Sequence, residues 1–196
     1  VLGWYMVKSG LVDQPSVSQY RLAAHLGLAV IIYAAMLYTA LGLRTVDTRG
    51  TSIGQGARNL SILIFITMKW GALVAGMDGG AVFTTFPLMD GGLLPPHALS
   101  ISPVWLNVFE NIGTVQFIHR VLAIGTVIAA IWLWWRNGCA KTGPTTWVTV
   151  FAGVQFCLGI ATILSGASIS IAWAHRGGAR VLAAAAMLAG RHGLTA

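Results

Sequence analysis

The chain has 196 residues, 56% hydrophobic and only 9% charged, against roughly 25% charged in an average soluble protein; mean hydropathy is +0.76. Twelve Lys and Arg against five Asp and Glu give a net charge of +7, yet the basic residues punctuate long apolar runs instead of gathering on one face. The composition excludes a disordered chain and a soluble nucleic-acid-binding domain and predicts a membrane protein.

The sequence opens in mid-run at Val1, without an initiator Met or the charged n-region of a signal peptide, and is expected to be a piece of a longer chain. Val1 to Val7 reads as the stump of one span. Five complete spans of about 20 mostly apolar residues are expected after it: Val17 to Leu43, Leu60 to Met77, Ile112 to Trp135, Thr145 to Ser165 and Ile169 to Leu188. Lys69 interrupts the second, and Arg176 and Arg180 interrupt the last. At a few kcal/mol per central charge, both pass if neighbouring helices shield them. The expected fold class is an all-α integral membrane helical bundle.

Alternating spans put Arg44, Arg49, Arg58, Arg136, Lys141 and Arg191 on one side, and Lys8 and Arg21 on the other with Asp13, Asp78, Asp90 and Glu110. The excess of Lys and Arg places the first side, with the C-terminus, in the bacterial cytoplasm or mitochondrial matrix. The longest connection, Asp78 to Asn111, is then outer; it carries Pro87, Pro95, Pro96 and Pro103 and no Lys or Arg. Its Phe83, Phe86, Met89, Trp105 and Phe109 suit packing over a site and a plain interfacial loop about equally. Cys139 and Cys157 are too differently placed for a disulfide.

The chain repeats itself. Leu2-Gly3 through Ser9-Gly10 matches Leu158-Gly159 through Ser165-Gly166, and Ala24-His25-x-Gly27-x-Ala29 matches Ala174-His175-x-Gly177-x-Ala179. The first helix pair is thus a copy of the last, while the middle pair has no copy. A complete repeat would place two helices before Val1, giving eight spans in two pseudo-repeated four-helix bundles. On this division residues 1–43 are the second half of the N-terminal bundle, 44–59 an inner linker, and 60–196 the C-terminal bundle.

Of the five histidines, His97 and His192 lie in loop or tail and are expected to be solvated. His25, His119 and His175 each sit about seven residues, roughly 10 Å, inside the outer end of a helix. A lone intramembrane His is often just an interhelical hydrogen bond. Three at one depth, two of them related by the repeat, point to a ligand or proton role. Zinc normally takes four ligands, and no Cys or carboxylate pair at that depth completes a set. Haem needs one or two axial imidazoles and a slot of small residues; Gly27, Ala29, Gly177, Gly178 and Ala179 are expected to let a porphyrin approach the backbone. Arg21, Arg120 and Arg176 lie near the same outer side, as propionate partners or as side chains snorkelling to headgroups.

Six stretches together carry a family resemblance: Gly3-Trp4-Tyr5-Met6-Val7-Lys8-Ser9-Gly10-Leu11, Tyr20-Arg21-Leu22-Ala23-Ala24-His25-Leu26, Gly71-Ala72-Leu73-Val74-Ala75-Gly76, Thr85-Phe86-Pro87-Leu88-Met89-Asp90-Gly91, Val115-Gln116-Phe117-Ile118-His119-Arg120 and Leu158-Gly159-Ile160-Ala161-Thr162. In these the chain resembles the haem A synthase family, membrane oxidoreductases of cytochrome oxidase assembly, and its proteobacterial and mitochondrial branch in particular. The resemblance implies that His119 and His175 are the axial pair of a haem b, with Arg120 and Arg176 as candidate propionate contacts. It implies that His25, with Arg21, belongs to the substrate bundle, where haem O binds and its methyl group is oxidised to formyl with water as oxygen source. The family's catalytic Glu, three residues before a His, would lie upstream of Val1; here Gln116 occupies that place before His119. Arg176 replaces the family's usual Gln, Thr84 its usual Asn, and Lys69 is foreign to mid-helix.

The implied partners are haem O, haem O synthase as its supplier, an unidentified membrane electron donor and the bilayer, with no nucleic acid; the sequence is compatible with a homo-oligomer. Two other functions compete. One is a b-type cytochrome subunit that only transfers electrons, the other a transporter or assembly protein whose histidines relay protons.

Overall fold

The computed structural model describes residues 3–4, 18–42 and 52–191. The expected stump beyond Gly3 and Trp4, the basic residues Lys8, Arg44 and Arg49, Asp13 and His192 lie outside these. The described chain is all-helical: α1 (Gln19–Gly42), α2 (Ser52–Gly76), a short α3 (Asn107–Glu110), α4 (Ile112–Arg136), α5 (Pro144–Leu164) and α6 (Ile169–Arg191). Four of these helices contain stretches long and apolar enough to cross a membrane: Gln19–Ala40, Ile53–Gly76, Ile112–Arg136 and Pro144–Leu164. The fifth expected span forms as α6, long enough to cross, but Arg176 and Arg180 leave it less apolar than the other four.

Helix starts follow local chemistry. Asn111 caps α4 by accepting a hydrogen bond from the Thr114 amide at 3.0 Å, and α5 opens on Pro144, whose missing N–H costs nothing in a first turn. After α5, Gly166 and Ala167 both take left-handed φ near 62° and turn the chain into α6.

α2 begins eight residues before the expected Leu60. The polar cluster Gln55, Arg58 and Asn59 reads as linker in the sequence, but these side chains bond one another at helical spacing, Arg58 to Gln55 at 2.7 Å and Gln55 to Asn59 at 2.9 Å. On the opposite face Ala57, Leu60 and Ile64 enter the core.

α2, α4, α5 and α6 form a four-helix bundle in which each packs on two neighbours: α2 on α4 and α6, α5 on α4 and α6. α4 and α6 therefore stand diagonally opposed. The main core uses Ala57, Leu60 and Ile64 of α2, Ala130 and Leu133 of α4, Val148 and Ala152 of α5, and Leu182, Ala185, Ala186 and Ala189 of α6. The alanine run of α6, featureless as sequence, is what lets its backbone approach its neighbours. α1 packs outside this bundle against α2 and α6, and a second cluster joins its Ala23 to Ala72 and Leu73 of α2 and Val115 of α4. Large apolar side chains such as Ile128, Trp132, Trp147 and Val154 face outward, as lipid contact requires.

The 78–111 connection is folded, not loose. Asn107, fully buried, accepts from the Ile101 amide at 3.0 Å and donates to the carbonyls of Ile101 and Val104 at 2.7 and 2.9 Å. Phe83 and Met89 are buried, Phe86 meets Phe156 of α5 edge-on at 5.9 Å, and Phe109 lies 6.1 Å from Trp70 of α2. Trp105 alone of the five points out, 64% exposed. The loop packs over the helix ends, with Trp105 as its interfacial residue.

Candidate functional site

His25 lies six residues into α1, His119 seven into α4 and His175 six into α6. Each imidazole rests on a glycine of an earlier helical segment. A Cβ on Gly3 would stand 3.3 Å from Cε1 of His25, one on Gly71 3.0 Å from Cε1 of His119, and one on Gly159 3.2 Å from Cε1 of His175. The first and third pairs are the sequence repeat made physical. The second shows that the middle helix pair, which has no sequence copy, keeps the same arrangement.

At two of the three sites Nδ1 is engaged. Nδ1 of His119 lies 3.1 Å from the Thr67 carbonyl oxygen. Nδ1 of His175 lies 3.0 Å from Nε2 of Gln155, whose amide also donates to the His175 carbonyl at 2.9 Å. Thr67 precedes Gly71 by one helical turn, as Gln155 precedes Gly159. No hydrogen bond engages Nε2 of either histidine among the described residues. α4 and α6, which carry these two imidazoles, stand diagonally opposed in the bundle. His25 stands apart on α1.

Arg120, next to His119, is buried and bonds the loop: Nη1 donates to the carbonyls of Thr85 and Leu88 at 2.9 and 3.4 Å, and Nη2 to Phe83 at 2.8 Å. Its Nε is buried without a partner. Gln116, also buried, donates to the same Phe83 carbonyl at 3.2 Å. The Thr-Phe-Pro segment is thereby tied to α4 one turn from His119. Arg176 is exposed, its guanidinium 5.9 Å from the Trp173 ring. Arg21 lies one turn before His25 on α1.

Two glycines expected to admit a porphyrin are occupied otherwise. A Cβ on Gly27 would lie 2.8 Å from Nζ of Lys69, which donates to the Ala23 carbonyl at 2.5 Å, and one on Gly178 would overlap Oε1 of Gln155. Gly177 faces open space. The sequence reading missed Gly3, Gly71 and Gly159 as the glycines that receive the imidazoles. Their position inside quoted motifs was the available signal.

Among the described residues no group of three or more His, Cys, Asp or Glu could hold a metal ion. A haem needs only two opposed imidazoles. His119 and His175 are of the type that requirement names: they stand on diagonally opposed helices, their Nδ1 atoms are held, and each ring rests against a glycine.

Residues 1–187 match the COX15-CtaA family, described as cytochrome oxidase assembly protein. The chain is 45% identical to the heme A synthase of Nitrosospira multiformis over 95% of its own length and 55% of the relative's. It is 42% identical to that of Parvibaculum lavamentivorans, covering 93% and 54%, and 44% identical to that of Rhodospirillum centenum, covering 92% and 51%. The chain spans about half the length of these curated relatives. No solved structure matches it. Helical membrane architecture, motif order and the match over nearly the whole chain lead to one conclusion: this chain belongs to the COX15-CtaA family of cytochrome oxidase assembly proteins.

Proposed function

We propose that the chain is part of a haem A synthase, an oxidoreductase that converts a methyl group of haem O to the formyl group of haem A. The carrying observation is His119 and His175 on diagonal helices at matched depth, with Nδ1 engaged and Nε2 free. On this reading His119 and His175 would hold the iron of a haem b, which would supply one-electron redox chemistry. The chain's own residues orient and enclose it: Gly71 and Gly159 set the imidazoles against the backbone, and Arg120 fastens the loop across the bundle end. Arg176, exposed near that end, takes a propionate, and the unpartnered Nε of Arg120 is a second donor for one.

α1 belongs, on the same reading, to the half that receives haem O, with His25 and Arg21 beside the substrate; α2, α4, α5 and α6 form the haem b half, and residues between α1 and α2 link them. The loop end faces outward and the C-terminus faces cytoplasm or matrix, haem O synthase supplies the substrate, and a membrane redox partner exchanges the electrons. The catalytic acid belongs upstream of Val1.

A second reading, a b-type cytochrome that only transfers electrons, is compatible with the same histidine pair, because this half carries no acid before its histidine. The residue three before His119 is Gln116, a buried amide bonded to the loop and not an acid. The two separate on one experiment. The complete reading frame is expressed in cells that make haem O, and extracted haems are chromatographed. Haem A or its hydroxylated precursor, absent without the gene, is the expected result; bound haem b with haem O unchanged would leave the cytochrome reading.

A further inference from the structure

Thr67 and Gln155 occupy equivalent positions, one turn before the glycine on which an imidazole rests, but they differ in chemistry. The Thr67 carbonyl can only accept, so Nδ1 of His119 carries the proton and Nε2 presents its lone pair, the form a metal ligand needs. At His175 the amide Nε2 of Gln155 is fixed as the nitrogen by its hydrogen bond to the His175 carbonyl, and the same NH2 group faces Nδ1. Nδ1 of His175 therefore accepts, which leaves the proton on Nε2, where it blocks ligation. Meanwhile Oε1 of Gln155 is buried with no partner, a cost that protein interiors rarely leave standing.

We propose that Gln155 is the positioning residue for His175, and that its amide turns over when the imidazole ligates iron. Turning the terminal amide brings Oε1 to Nδ1. The orphaned acceptor gains a donor, the ring proton resides on Nδ1, and the Nε2 lone pair is released. The hydrogen bond to the His175 carbonyl is given up and the NH2 group takes the buried place that Oε1 leaves, so iron ligation, and not the amide's own bonding, drives the turn. Gly178 provides the clearance, since a side chain there would overlap the Gln155 amide. After the turn both imidazoles donate from Nδ1 to an oxygen one turn before a glycine, and the two halves of the site become chemically alike. This inference rests on the reading that His175 is an iron ligand.

The test uses the complete reading frame, loaded with haem in the membrane and purified, with Gln155→Leu, Gln155→Glu and His175→Ala compared by low-spin haem spectrum, haem release to an acceptor protein and midpoint potential. Gln155→Leu is expected to release haem about tenfold faster, in the range seen when such supporting partners are removed. Gln155→Glu, which keeps the acceptor, should restore wild-type retention. Glu should also favour the oxidised haem about tenfold, a downward shift of roughly 59 mV for one electron. Unchanged release and potential in both Gln155 variants, alongside loss of the low-spin spectrum in His175→Ala, would overturn the role of Gln155 alone. A low-spin spectrum that survives His175→Ala would overturn the ligand reading, and the inference with it.

Discussion

The α-carbon of Gly71 lies against the edge of the His119 imidazole, so that a methyl group there would stand 3.0 Å from Cε1 and 3.5 Å from both ring nitrogens. Gly71→Ala should displace the ring by a few tenths of an ångström, and Gly71→Val should push it off the Thr67 carbonyl. Overpacking of this kind costs roughly 1–3 kcal/mol. The expected outcome is a graded loss of bound haem from Gly through Ala to Val, read from the visible spectrum at equal protein concentration. Equal occupancy in all three would contradict the contact.

Arg120 ties together the loop carbonyls of Phe83, Thr85 and Leu88. Hydrogen bonds from a charged group contribute roughly 1.5–3 kcal/mol, and Lys cannot reproduce the fork. Arg120→Lys should therefore loosen residues 83–89 and leave the far core around Leu60 and Val148 unchanged. Hydrogen exchange by mass spectrometry checks this: faster exchange confined to the loop is expected, whereas uniform exchange across the bundle would mean that Arg120 is only a packing residue.

Lys69 and Gly27 are matched in size. The ammonium sits where a Cβ at position 27 would be and donates to the Ala23 carbonyl. Gly27→Ala is expected to destabilise the chain by about 1–3 kcal/mol. In a Lys69→Ala background the same change should be nearly neutral, giving a coupling of roughly 1 kcal/mol or more. Thermal unfolding in detergent for the four members of the cycle measures it, and additive effects would show that the two residues do not meet.

Glu110 joins α1 to the loop, accepting from the Tyr20 hydroxyl and from Gln19 Nε2. Glu110→Ala removes both acceptors at once. Each bond is partly exposed and worth roughly 0.5–1.5 kcal/mol, so the expected effect is modest. It should appear as increased protease access at the start of α1, without change in the visible spectrum of the haem-loaded protein.

The elements were legible where one physical signal dominated. The apolar runs gave α4, from Ile112, and α5 to within a residue or two, and the three histidines stood out because charge-capable groups are rare at that depth. The start of α2 was hidden, because Gln55, Arg58 and Asn59 look like linker until their bonds to one another along a helix are seen. The glycine partners were hidden for a different reason. Gly71 and His119 are 48 positions apart in sequence, and only bundle packing brings them together. Gly27 and Gly178 mislead in the same way, since the side chains that fill them, Lys69 and Gln155, come from other helices. Arg120 looks from sequence like a group awaiting an anion; the fold turns most of its donors onto backbone instead.

The two arginines in α6 bear on the order in which the protein is built. Helices α1, α2, α4 and α5 are apolar enough to enter a bilayer by composition, whereas α6 takes its place from the faces of α2 and α5 already there. Since α6 carries His175, a haem held as proposed between His119 and His175 would find both imidazoles only once α6 had docked, and its retention would then report on complete insertion.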